Sequence, residues 1–225
     1  MRFNSKINPV PLKRLGAGYH SLDTRTKLAS ATGIRTAMAN KDNISGLLPD
    51  NCLNIIKNHT TIEYNDFSTV LGSKLLSMDT LDHIEGINQD LSNRIANNKY
   101  NFTDIETFIP MLQSKNYTYS AISRALLHII LDIKTDDIKE FISNNYVNYA
   151  MILGFNKNTG ILSEINKYTK IPLVSKFATF YKEADNNQRK MLDINLKADN
   201  LYRMIYINKT SETLPTEFQR QIIIK

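Results

Sequence analysis

Through the middle and end of the chain, apolar residues recur every three to four positions, the spacing of amphipathic helices rather than of strands. Asn65 or Asp66 is placed to cap a helix running to about Ser77, and Asp79 another running toward Asn97. Thr103, with Glu106 three residues later, has a capping-box pattern and puts Ile105, Phe108, Ile109 and Leu112 on one side of a third helix. A fourth is predicted from Thr118 to Leu131, with Ile122, Leu126 and Ile129 on its core face. The pattern then changes. Tyr146 to Phe155 reads as extended, closed by Gly154 and an Asn156 to Gly160 turn. A short helix from Ile161 to Tyr168, a break at Ile171-Pro172-Leu173, and a long helix from about Gln188 to Ile207 follow. In that last helix Ile194, Ala198, Leu201 and Ile205 form the stripe.

This pattern describes a mainly α protein from about residue 51 onward, preceded by a short segment of different character. The 225 residues are 42% hydrophobic and 22% charged, ordinary for a globular chain with a sizeable core. The net charge of +6 is uneven, because residues 1–50 hold eight Lys/Arg against three Asp/Glu. An excess there points to nucleotide or nucleic-acid partners. The single cysteine, Cys52, excludes an internal disulfide framework and a cysteine-rich zinc site, which fits a reducing cytosol. Its apolar neighbour Leu53 favours a buried, inert thiol. The longest apolar run, around Ala125 to Ile133, is interrupted by His128 and Asp132, so neither a signal peptide nor a membrane span is expected.

Within the basic segment, KRLGAGYH (Lys13 to His20) is followed by ASATGIR (Ala29 to Arg35). Gly16 and Gly18 permit close backbone approach to a ligand. Ser30 and Thr32 stand where a helix begins, with Arg35 about one turn in. Hydroxyls and an arginine beside free helix N–H groups make an anion site, although surface arginines on a basic segment fit the same letters. Elsewhere, Asp79, Asp82 and His83 have metal-ligand spacing on a helix, but acidic first-turn residues that complement the helix dipole explain them equally simply. Asp136, Asp137 and Glu140 are read as a solvated face in the same way. Ser120, Arg124 and His128 fall at i, i+4 and i+8. With Tyr117 they are either a phosphate-and-stacking patch for RNA or an ordinary polar helix face. Lys176, Lys190, Lys197 and Arg203 are further candidate phosphate contacts.

These stretches together resemble the bacterial tRNA(Met) cytidine acetate ligase family, a nucleotidyltransferase-like group. KRLGAGYHS and LASATGIR are joined, in the family's order, by HIEGI at His83, YTYSAISRALLHIIL at Tyr117, YAMILGFNKNTG at Tyr149, IPLVSK at Ile171 and LDINLKADNLY at Leu192. The resemblance implies residues 1–50 as the last segment of an α/β, Rossmann-like nucleotidyltransferase domain, and residues 51–225 as a helical C-terminal, tRNA-binding domain. It implies ATP-dependent ligation of acetate to the wobble cytidine of elongator tRNA(Met) through acetyl-adenylate, giving N4-acetylcytidine, in the cytoplasm. ATP would be the nucleotide substrate with Mg2+ as its counter-ion and no protein-bound metal.

Residue by residue, Arg14 with its neighbour Leu15, then Ser30, Thr32 and Arg35, match the family's ATP-binding positions. Tyr117, Arg124, His128 and Lys176 are the candidates for tRNA contact. The family's glycine- and histidine-bearing motif that clasps the triphosphate has no counterpart in the chain, so the catalytic groups are expected upstream of Met1 and the isolated chain is expected to be inactive. Asn116 and Ala121 stand where the family favours arginines. Two other functions remain open: a non-catalytic helical module binding tRNA or protein, and a nucleotidyltransferase serving another acceptor.

Overall fold

A computed structural model describes residues 10–13, 15, 16, 18, 21–24, 29–157 and 159–225, with the Lys57 side chain excepted. The chain divides into two compact units, Met1–Thr61 and Ile62–Lys225.

In the first unit, α1 (Ala31–Ala39) is opened by Ser30 and buries Gly33 and Ala37. Helix α2 (Asp50–Lys57) begins after Pro49, which presets the backbone, and has Asp50 in its first turn. It buries Leu53, while Cys52 is half-buried rather than enclosed.

The second unit is built on a helical core. A 3-10 turn, Tyr64–Phe67, leads into α3 (Ser68–Ser77). There Asp66 Oδ2 accepts the Glu63 N–H at 2.7 Å and closes a capping box, so it stabilises the turn that precedes the α-helix. Helix α4 (Gln89–Asn98) is capped by Asn88, α5 (Ile105–Leu112) by Asp104 and α6 (Tyr119–Leu131) by Thr118. Leu71, Leu75, Leu91, Ile95, Phe108, Ile109, Ile122, Leu126 and Ile129 interlock as one core, with Phe102 edge-on to Phe108 at 5.1 Å between ring centres.

Two sequence expectations are corrected here. The third helix is capped by Asp104 rather than Thr103, because the Asp104 carboxylate reaches the Thr107 N–H at 2.9 Å. The expected helix from Asp79 does not start until Gln89. Gly86 has φ +82°, a left-handed geometry that breaks any helix through it. The preceding residues are instead stitched to the end of α6 and the turn after it: Glu85 N–H donates to Ile133 O at 2.9 Å, and Thr135 N–H to His83 O at 3.0 Å. Asp79, Asp82 and His83 therefore do not share a helix face.

Helix α7 (Thr135–Ser143) follows a left-handed turn at Asp132. The expected extended stretch resolves into β1 (Ala150–Met151) and β2 (Gly154–Phe155), followed by α8 (Ile161–Tyr168). Next come β3 (Leu173–Val174), α9 (Phe177–Glu183), the long α10 (Asn186–Thr210) and β4 (Ile223–Ile224). The strands pair in parallel, β1 with β3 and β2 with β4. Helix α10 buries Leu192, Ile205 and Tyr206, whereas Ile194, Ala198 and Leu201 are only half-covered. It is also tied by charge. Lys190 bridges Asp137 and Glu140 of α7, both at 2.7 Å, and these bonds push its pKa up to about 12. Lys209 meets Asp66 at 2.7 Å.

Candidate functional site

Ser30 has extended backbone, and its Oγ accepts the Gly33 N–H at 2.9 Å. The same hydroxyl donates to the Ser21 carbonyl at 2.6 Å, and the residue has no exposed surface. Ser30 thus uses its hydroxyl to build the start of α1 instead of presenting it to solvent. Gly33 suits the same junction: a Cβ there would lie 3.0 Å from the Ser21 carbonyl oxygen, tight enough to press that backbone aside by a few tenths of an ångström. Thr32 is half-buried and Arg35 exposed, and neither side chain has a hydrogen-bond or ion-pair partner among the described residues. Leu15 is 73% exposed. Arg14 lies outside the described residues, as do Tyr19 and His20. What the structure brings together is therefore a capped helix start with a free guanidinium one turn along it, an arrangement able to hold an anion.

On the candidate RNA face, the 85–88 segment lies along α6. Tyr117 donates its hydroxyl to Asn88 Oδ1 at 2.5 Å, and His128 Nδ1 is 2.8 Å from the Glu85 carbonyl. A carbonyl oxygen can only accept, so Nδ1 is the donor of that bond. Both side chains thus have structural work, while the exposed Arg124 between them has no hydrogen-bond or ion-pair partner among the described residues. Lys176 is equally unengaged, at the entry to α9 and on a separate element. The other candidate cations are occupied: Lys190 by its two carboxylates, Lys197 by the Leu131 carbonyl at 2.7 Å, and Arg203 by the Leu214 carbonyl at 2.7 Å. Burial, with Lys74 and Lys134 nearby, lowers the Lys197 pKa.

The sequence reading missed a cleft of about 260 Å3 between β1 and its flanks, the start of α9, α10 and the tail. Met151, Leu153, Phe177 and Ala198 line it with Tyr149, Asn195, Asp199, Glu217 and Arg220. Asn195 and Asp199 are one turn apart on α10, the only local hint of a shared polar face. Asn195 Nδ2 donates to the Tyr149 hydroxyl at 2.7 Å. Arg220 pairs with Glu217 at 2.7 Å. Burial raises the Tyr149 pKa, and Asp199 and Glu217 push the same way against the Asn195 bond, so the phenol keeps its proton. Among the described residues no group of three or more His, Cys, Asp or Glu side chains could hold a metal ion, and no helix is long and apolar enough to cross a membrane.

Compared with known proteins, residues 1–217 match the family model described as HIGH Nucleotidyl Transferase. The chain belongs to the HIGH nucleotidyl transferase family. Among individual relatives it is 30% identical to the tRNA(Met) cytidine acetate ligase of Thermoanaerobacter sp. (strain X514), over 93% of this chain and 53% of that protein. It is 32% identical to the ligase of the same name from Caldanaerobacter subterraneus subsp. tengcongensis, over 92% of this chain and 52% of that protein. The chain thus spans about half the length of these curated relatives. Its fold is that of Thermotoga maritima TmcAL: the apo crystal structure aligns with a TM-score of 0.82 and 22% identity, covering 95% of this chain and 54% of that one. A second TmcAL structure, bound with alpha-thio ATP, aligns with a TM-score of 0.76 and 21% identity, over 88% and 53% of the two chains. Family membership makes the chain part of an enzyme lineage, as the motifs implied.

Proposed function

We propose that this chain belongs to an ATP-dependent acetate ligase acting on the wobble cytidine of elongator tRNA(Met) in the cytosol. The observation that carries the proposal is the family match through both compact units, together with relatives of that name across more than nine-tenths of the chain. In this reading residues 1–50 close an α/β nucleotidyltransferase domain and residues 51–225 handle tRNA.

The chemistry has two steps. An acetate oxygen attacks the α-phosphorus of ATP, and the bond from that phosphorus to pyrophosphate breaks to give acetyl-adenylate. The cytidine N4 then attacks the acetyl carbonyl carbon, AMP leaves with the bonding electrons, and N4 loses a proton to give N4-acetylcytidine. Activation is needed because a free carboxylate is a poor acyl donor. Positioning and charge stabilisation as pyrophosphate departs supply most of the rate. Arg35 and Arg14 contact phosphates, Leu15 and Thr32 border the nucleotide, and Ser30 holds the helix start that presents its N–H groups. The planar guanidinium fork suits phosphate oxygens better than a lysine would. Mg2+ enters with the nucleotide as its counter-ion. Arg124 and Lys176, the unengaged cations, supply tRNA backbone contacts, and Tyr117 and His128 shape the face around Arg124.

The test is a chimera in which this chain replaces the aligned segment of a relative, assayed with labelled acetate, ATP and tRNA(Met). Acetylated tRNA is expected from the chimera and none from the 225-residue chain alone. A folded chimera that binds ATP and tRNA yet transfers no acetyl group refutes the proposal, and pyrophosphate release with a different acid would redirect it to another acceptor chemistry.

A further inference from the structure

We propose that the cleft between β1 and its flanks, the start of α9, α10 and the C-terminal tail is a seat for one unstacked, amino-bearing RNA base, cytosine or adenine. This deepens the preceding proposal and rests on it for the RNA. The volume of about 260 Å3 admits a single heterocycle with room for its ribose edge. Aromatic and apolar side chains, Tyr149, Phe177, Met151 and Leu153, provide the surface against which a flat ring packs, and splayed RNA bases are bound on such surfaces.

The polar groups select the edge. Asp199 has no hydrogen-bond or ion-pair partner among the described residues, so its carboxylate is free to accept from an exocyclic amine. Because the Tyr149 oxygen accepts from Asn195, its own O–H is left to donate toward a ring nitrogen or carbonyl. Asn195 keeps its carbonyl oxygen as a second acceptor. Arg220 spends one arm on Glu217 and has further N–H groups to offer. With the exocyclic 4- or 6-position set against Asp199, acceptor beside donor is the complement of the cytosine and adenine Watson–Crick edges, whereas uracil in the same pose turns its O4 toward the carboxylate. Two carboxylates against one guanidinium also disfavour a phosphate in the cleft itself, so the ligand enters base first.

The experiment measures binding of fluorescent octamers of rC, rA and rU to the 225-residue chain by anisotropy at fixed salt. Asp199→Asn and Tyr149→Phe are compared with the unaltered protein, and free cytidine serves as competitor. The octamers rC and rA are expected to bind about tenfold more tightly than rU. D199N, which is isosteric on an exposed helix face, is expected to abolish that preference while leaving rU affinity and thermal melting unchanged. Equal affinity for all three octamers, or a preference that survives D199N, overturns the proposal. Free cytidine displacing the octamer at micromolar concentration would also overturn it, by assigning the cleft to a free nucleoside. Octamer binding without base preference, with tRNA still bound, leaves the ligase proposal standing and removes only the base seat. The two are therefore separable.

Discussion

Replacing Ser30 with alanine separates a structural from a ligand-contacting role for the first hydroxyl of the nucleotide motif. The side chain accepts from the Gly33 N–H at 2.9 Å and donates to the Ser21 carbonyl at 2.6 Å, with no exposed surface. Loss of an N-cap costs about 1 kcal/mol. Leaving the Ser21 carbonyl without its donor costs about 1 kcal/mol more. The sum of about 2 kcal/mol corresponds to a roughly 30-fold rise in opening of the α1 start. Hydrogen exchange at the Gly33 and Ile34 amides should report it directly, since both groups bond back to Ser30. The control is Thr32→Ala, which removes a half-buried side chain with no hydrogen-bond partner among the described residues and should leave exchange within about twofold. In a chimera that binds ATP, S30A should weaken affinity together with exchange protection, whereas T32A should alter affinity alone. Unchanged exchange in S30A, or lost ATP affinity with full protection, would refute a structural role for Ser30.

Four further outcomes are expected. Arg124→Ala should lower the dependence of tRNA affinity on log salt by about one unit of slope, measured by filter binding at several salt concentrations; an unchanged slope removes this residue from the RNA face. Ile129→Ala, in a fully buried core position, should destabilise the second unit by about 3 kcal/mol in urea melts followed by helical signal. The exposed Ile165→Ala should stay within about 0.5 kcal/mol. Burial alone would raise the Asp66 pKa, but the Glu63 N–H and the Lys209 ammonium outweigh it and hold the carboxyl below its ordinary 3.8. A depressed carboxyl stabilises above its unfolded pKa and loses that contribution as pH falls through the folded value. The stability gap between wild type and Asp66→Asn should therefore be flat from neutral pH to about 5, then close below pH 4; a gap that widens in acid contradicts the Lys209 pairing.

The helices from Ser68, Ile105 and Tyr119 were legible because their information is local. Apolar residues at three- and four-residue spacing define a buried face before any partner is known, and Thr118 announces a helix start by its own side chain. The family's order of short motifs was legible for the same reason, being a property of the linear chain.

Tertiary structure decided what depends on residues distant in sequence. The segment from Asp79 to Asn88 has helix-compatible letters, yet it is pinned to α6 and its following turn through Ile133, Thr135 and His128, with Gly86 turned left-handed. Which cations are free also follows from folding. Lys190 and Lys197 look like Arg124 in the sequence but are spent on α7 carboxylates and a helix-end carbonyl. Ser30 reads as a ligand hydroxyl until Ser21 folds against it. The cleft needs residues near 150, 177, 195 and 220 together, which only the folding of four distant stretches of chain brings to one place. Periodicity determines which face of an element is buried, but only the closing of long chain loops determines what that face and its polar opposite meet.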